Sequence, residues 1–117
     1  MEFDRTNEHG VTPVLFIGSA RSEVVARLRQ HGVRVIVAER VDRGLRLLKQ
    51  FRVTAVVYDV PELWPILELV ALANPVILLA AANADWGSPE VRVLRRETAA
   101  VTVVEVLSSL AHDAAVA

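Results

Sequence analysis

Val53-Thr54-Ala55-Val56-Val57-Tyr58-Asp59 is a stretch rich in β-branched residues that stops on a carboxylate. A run this apolar, with no polar residue at every second place, reads as a strand buried on both faces. The same pattern recurs on either side of it. Toward the N-terminus, Val14-Leu15-Phe16-Ile17 closes on Gly18-Ser19, and residues 33–38 form a second apolar run. Toward the C-terminus, residues 75–81 and 91–94 supply two more. Helical patterns fill the gaps. Ser22 is placed to cap a helix over about 22–31, with Val24, Val25 and Leu28 inward and Gly32 at its end. Asp42 opens a helix to residue 51, with Val41, Leu45, Leu48 and Phe51 on one face and Arg43, Arg46 and Lys49 toward water. Pro61 and Pro65 break the chain before a helix over 65–73, and a last helix runs over 98–111. Apolar strands alternating with helices predict a parallel sheet covered on both faces, and right-handed crossovers leave few topologies.

The chain of 117 residues has room for one core and is 53% apolar. Residues 1–11 read as a polar lead-in, 12–112 as the domain, and 113–117 as a tail or the start of a linker. The net charge of −1 gives no general pull toward nucleic acid or an anionic membrane. All but one of the 13 basic residues are arginine, scattered along the chain with no evident phosphate-binding patch. Without cysteine there are no disulfides, zinc-thiolate sites or thiol nucleophiles, which fits a cytoplasmic setting. No apolar run nears the ~18–20 residues that span a bilayer. No stretch of the N-terminus resembles a signal peptide.

Taken together, Gly32, Arg34-Val35-Ile36-Val37-Ala38, the helix 42–51 and Val56-Val57-Tyr58-Asp59 resemble the second strand, second helix and acceptor strand of response-regulator receiver (CheY-like) domains. Pro75-Val76-Ile77-Leu78-Leu79 resembles that family's fourth strand. The resemblance covers about residues 12–112. It implies a flavodoxin-like three-layer α/β sandwich with a five-stranded parallel sheet in the order 2-1-3-4-5. Only nine residues (82–90) separate the fourth and fifth strands, and Asn83, Asp85, Gly87, Ser88 and Pro89 are turn formers. The fourth helix is therefore expected to be short or missing.

Receivers place an acidic pair after the first strand and an acceptor aspartate after the third, which together hold Mg²⁺. A Ser/Thr after the fourth strand and a Lys after the fifth hold the phosphoryl oxygens. Matched to this pattern, Asp59 is the candidate phospho-acceptor. Gly18 and Ser19 stand for the acidic pair, Ala80 for the Ser/Thr and Arg95 for the Lys. A lone carboxylate is a poor site for a hard cation that wants several oxygen ligands. The resemblance thus implies a vestigial pocket and a pseudo-receiver without metal or cofactor, in which Arg95 is expected to pair with Asp59.

Other constellations are weaker. Gly18-Ser19-Ala20-Arg21-Ser22-Glu23 is a broken G-x-G-x-x-G, with Glu39 about where a ribose-binding acid would sit. Ala20 and Glu23 replace the glycines that let pyrophosphate approach, so an ordinary strand–helix turn is the simpler reading. His9, His31 and His112 share no ligand spacing. Trp86 in a polar turn either packs over the sheet edge or forms a contact hot spot.

The helix after Pro65 carries Ile66, Leu67, Leu69, Val70 and Leu72 with Glu68 as its lone charge. It either fills space left by the missing helix or meets a partner. On the last helix, Thr98, Thr102, Glu105, Ser109 and His112 form one narrow polar stripe, which leaves Val103 and Leu107 among an apolar surplus. An interaction surface of Leu67, Val70, Trp86, Val103 and Leu107 follows, serving a homodimer or a protein partner and neither nucleic acid nor a membrane. Three functions remain open: a non-catalytic signalling module, a phospho-acceptor using Asp59, and a small nucleotide-binding domain.

Overall fold

A computed structural model describes residues 13–61, 65–72, 75–80 and 91–116, with side chains of the last helix described to residue 109. The expectations for 1–11, for Trp86 and for the helix across 82–90 lie outside the described residues. The elements are β1 (Val14–Ile17), α1 (Glu23–Gln30), β2 (Val35–Ala38), α2 (Val41–Leu48), β3 (Val56–Tyr58), α3 (Pro65–Ala71), β4 (Val76–Ala80), β5 (Val91–Arg95) and α4 (Ala99–Val116). All strand pairs are parallel, in the order β2-β1-β3-β4-β5. This is the flavodoxin-like arrangement, with four helices among the described residues. None of these helices is long and apolar enough to cross a membrane.

Alternation along each strand divides the core into two layers. Val14, Phe16, Ala55, Val57, Ile77 and Leu79 face α1 and α4, which contribute Val24, Val25, Leu28, Ala99, Val103 and Leu107. Leu15, Ile17, Val56, Tyr58, Val76 and Leu78 face α2 and α3, which contribute Ile66 and Leu69 together with the half-buried Val41, Leu45 and Leu48. Phe16, Tyr58 and Leu28 are fully buried, and each such side chain stabilises the fold by roughly 1.5–3 kcal/mol relative to exposure.

Helix α1 begins and ends as the sequence predicts. The Ser22 side chain accepts from the Val24 N–H at 3.1 Å. At the other end Gly32 takes φ +78°, and the Val33 and Gly32 N–H groups donate to Leu28 and Arg29 carbonyls, both at 3.0 Å. That pair of bonds is the Schellman pattern, and the left-handed conformation at Gly32 suits glycine. Arg29 also reaches sideways, its Nη2 donating to the Val35 carbonyl of the edge strand β2 at 3.3 Å. Helix α2 packs closely because Gly44 is buried against Ile17; a Cβ there would meet Ile17 Cδ1 at 2.7 Å.

Three sequence expectations need correction. Phe51 does not join the inner face of α2. The helix stops at Leu48, the chain tightens so that the Phe51 N–H donates to the Leu47 carbonyl at 2.8 Å, and Phe51 is 51% exposed. Val103 and Leu107 are core residues of the α1/α4 layer and not surface. A helix wedged between a sheet and a neighbouring helix buries a wider arc than a sheet alone requires. The last helix also runs to Val116, past the expected end at residue 111.

Candidate functional site

The carboxyl ends of parallel strands are where an α/β sheet of this kind offers a crevice. β1 ends at Ile17, and the Gly18 N–H donates to the Ala38 carbonyl at 2.9 Å, which ties the end of β1 to β2. β3 ends one residue before Asp59, whose N–H donates to the Ile17 carbonyl at 2.9 Å. Gly18 and Asp59 therefore lie side by side. Gly18 has φ +155°, and a Cβ there would meet the Asp59 carbonyl oxygen and Phe16 Cε2, each at 2.9 Å. No side chain fits at this position without moving its neighbours, so an acidic residue is sterically incompatible with the local backbone.

The Asp59 side chain is 22% exposed and points toward α1 and α4. Its partner is Arg96. Nε of Arg96 donates to Asp59 Oδ1 at 3.0 Å, while Nη2 lies 3.0 Å from the same oxygen as an ion pair and donates to the Leu79 carbonyl at 3.2 Å. The Arg96 N–H is itself held by the Ala80 carbonyl at 2.8 Å. The guanidinium is thus fixed by its own backbone, by the end of β4 and by the carboxylate. Because the Arg96 side chain is 54% exposed, the ion pair adds only ~0–1 kcal/mol, and its main effect is on geometry.

The expected Asp59–Arg95 pair is therefore wrong by one residue, and the reason is alternation. Val91 and Val93 face the α2/α3 layer and Leu94 faces the α1/α4 layer. Tyr58 faces α2/α3, so Asp59 turns toward α1/α4. Only Arg96, two residues after Leu94, shares that side; Arg95 lies on the opposite parity. Counting inward–outward positions from Val91 would have found Arg96 in the sequence.

The remaining expected pocket residues fall as follows. Ser19 lines a cavity of about 280 Å³ together with Asp59, Leu79, Arg96 and Ala100. Ala80 is at the end of β4, half-buried, with its methyl on the α2/α3 side. The loop after β1 is already satisfied internally. Glu39 Oε2 accepts from the Ala20 N–H at 3.1 Å, and Ser19 Oγ accepts from the Arg21 N–H at 3.1 Å. Glu39, the candidate ribose-binding acid, is thus engaged with the loop whose N–H groups a pyrophosphate would need.

The donor set does not fit the Mg²⁺ that the receiver resemblance implies. Asp59 has an oxygen occupied by a guanidinium, the positions matched to the acidic pair, Gly18 and Ser19, add a single hydroxyl, and the other carboxylate on the cavity, Glu23, stands beside the cations of Arg21 and Arg96. Among the described residues no three His, Cys, Asp or Glu side chains cluster as a metal site would require. His31 is an exposed helix cap; His9 and the His112 side chain lie outside what is described.

Of the expected interaction surface, Leu67 is 68% exposed and Val70 is half-buried. Val101, part of the apolar surplus of the last helix, is 66% exposed. The class defined by fold and site is a flavodoxin-like domain whose strand-end carboxylate is held by a built-in guanidinium. No family model matches the chain, and no curated protein matches it in sequence.

Proposed function

We propose that the chain is a non-catalytic signalling or regulatory module, a pseudo-receiver that works through protein contacts and is not switched by phosphorylation. The observation that carries this reading is the Asp59–Arg96 pair beside Gly18. In a phospho-accepting site the carboxylate needs a free oxygen for in-line attack and a divalent cation to offset charge on the phosphoryl group. Here a permanent cation on a fixed tether takes that place, and a guanidinium cannot be deprotonated to vacate it. On this reading the cation stays on the same tether throughout, and the site has no charge that comes and goes to throw a switch. Exposed Leu67 and Val101 give such a module apolar surface for a partner or a second copy.

The test is exposure of the intact chain to acetyl phosphate, or beryllofluoride, with Mg²⁺, followed by intact-mass and amide-shift measurements. No phosphoryl adduct and no Mg²⁺-dependent shifts around Asp59 are expected. An adduct that disappears in Asp59→Ala would establish a phospho-acceptor. Arg96→Ala should perturb the amide shifts at Asp59, whereas Arg95→Ala should leave them in place.

A further inference from the structure

At the opposite end of the sheet, the segment after α2 forms a second feature unrelated to Asp59. The outer side of α2 carries Arg43, Arg46 and Lys49, all exposed, and Arg52 follows. Among the described residues none of these four has an acidic partner; the ion pair on this helix is Arg40 with Asp42, at its other end. Beside Lys49 and Arg52 lies a groove of about 760 Å³ lined by Leu48, Gln50, Phe51, Val53 and Leu72. Phe51 is 51% exposed and Leu72 39% exposed, so Lys49 and Arg52 flank two partly exposed apolar side chains. Phe51 is kept there by the Leu47 carbonyl bond at its N–H, described above.

We propose that this groove docks an acidic protein segment carrying one bulky apolar side chain, the apolar group resting on Phe51 and Leu72 and the carboxylates meeting Lys49, Arg46 and Arg52. Two independent properties select this partner. Unpaired cations around an exposed aromatic are the complement of alternating acidic and apolar residues, and an aromatic anchor inside a charged rim is how small interfaces concentrate affinity. A long polyphosphate is disfavoured because the chain as a whole is at −1 and only the four cations of residues 43–52 gather here. The one acidic side chain on the neighbouring helix, Glu68, lies a turn before Leu72 and sets the limit of the basic field. This proposal does not depend on how Asp59 behaves.

The experiment uses the full chain and a labelled hexapeptide, acetyl-Glu-Glu-Ser-Phe-Glu-Asp-amide, with a version in which every acid is an amide and a single-stranded DNA oligonucleotide as controls. Binding is followed by fluorescence anisotropy and by amide shifts. The acidic peptide should bind with shifts confined to residues 48–53 and Leu72, and weaken as salt screens the rim. Phe51→Ser, and separately Arg46→Glu with Lys49→Glu, should each weaken it roughly tenfold or more. The amide peptide should lose binding with the protein unaltered, which keeps the test valid if a variant folds poorly. Absence of binding, equal binding of both peptides, DNA binding at the same residues that ignores Phe51→Ser, or dilution-dependent shifts there that report a second copy would each overturn the proposal.

Discussion

On the α1/α4 side of the sheet, every large apolar side chain of α1 is buried, and α4 buries Ala99, Val103 and Leu107 against it. On the α2/α3 side, Leu67 and Leu72 stand in water, Phe51 is outside the helix it was expected to join, and only Gly44 of α2 is fully buried. The two layers share one sheet but differ in closure. The closed layer has the 18-residue α4 lying against the 8-residue α1, which has a capped start at Ser22 and a Schellman end at Gly32. The open layer has helices of 8 and 7 residues, and α2 starts at Arg40 without a side-chain cap. The closed side holds Arg96 on Asp59; the open side carries the groove. The closed face is the more tightly packed, although it still exposes Val101 on α4, and the open face carries more apolar surface, at Leu67, Phe51 and Leu72.

The contrast breaks most sharply if large-to-small changes fail to tell the layers apart. Leu28→Ala should cost ~2–5 kcal/mol by denaturant unfolding, because Leu28 is fully buried between sheet and helix. Leu67→Ala should stay within ~0.5 kcal/mol. Equal losses at the two positions would mean that Leu67 is covered in solution, and sedimentation equilibrium would then identify a second copy as the cover.

Next in size is Gly18→Ala, expected to cost ~1–3 kcal/mol from the backbone conformation and the contacts a methyl would make with Asp59 and Phe16. A neutral outcome in thermal unfolding would show that the strand ends can separate, and with them the pocket.

The caps sharpen the comparison at a smaller scale. Ser22→Ala should lose ~1 kcal/mol, whereas Arg40→Ser should change stability by at most a few tenths, since the Asp42 carboxylate already accepts from the Asp42 and Arg43 N–H groups that a serine cap would serve. Equal responses at both sites would contradict the difference in how the two helices begin.

The smallest effect concerns Asp42. Slight desolvation raises its pKa, but the hydrogen bond and charge of Arg40 and the N–H groups of Asp42 and Arg43 lower it further, and the net direction is below 3.8. A carboxylate depressed on folding contributes stability that is present above its unfolded pKa and lost as pH falls through the folded value. Because Asp42 is fully exposed the contribution is minor. NMR titration should find its pKa low and returning toward 3.8 in Arg40→Ser.

The strands were legible because apolar runs such as 14–17 and 76–80 have few alternatives once helices separate them, while their order was what the resemblance to receiver domains implied. α1 was legible for a different reason, the paired cap signals at Ser22 and Gly32. What was missed came from carrying a pattern one step too far. The inner stripe of α2 was extended to Phe51 although helical spacing loses its meaning where the helix ends. The partner of Asp59 was placed by family position at Arg95, when the two-residue period of β5 points to Arg96. The excess of valine on α4 could not be apportioned from sequence, because whether Val103 meets a sheet, a helix or water depends on what lies beside it.

One contact on the closed side bears on how the molecule behaves in a crowded solution. Strand β2 lies at the margin of the sheet, and its residues Val35, Ile36 and Val37 are all attractive to another extended chain. Its inward carbonyls, at Arg34 and Ala38, are taken by β1, so the carbonyl of Val35 looks outward. By seating a guanidinium on that oxygen, Arg29 puts a bulky positive charge where an incoming strand would have to begin pairing. Arg34 and Glu39 charge the two ends of the same strand. The four-residue length of β2 and the guanidinium on its outward carbonyl are both features that discourage another extended chain from pairing with this edge.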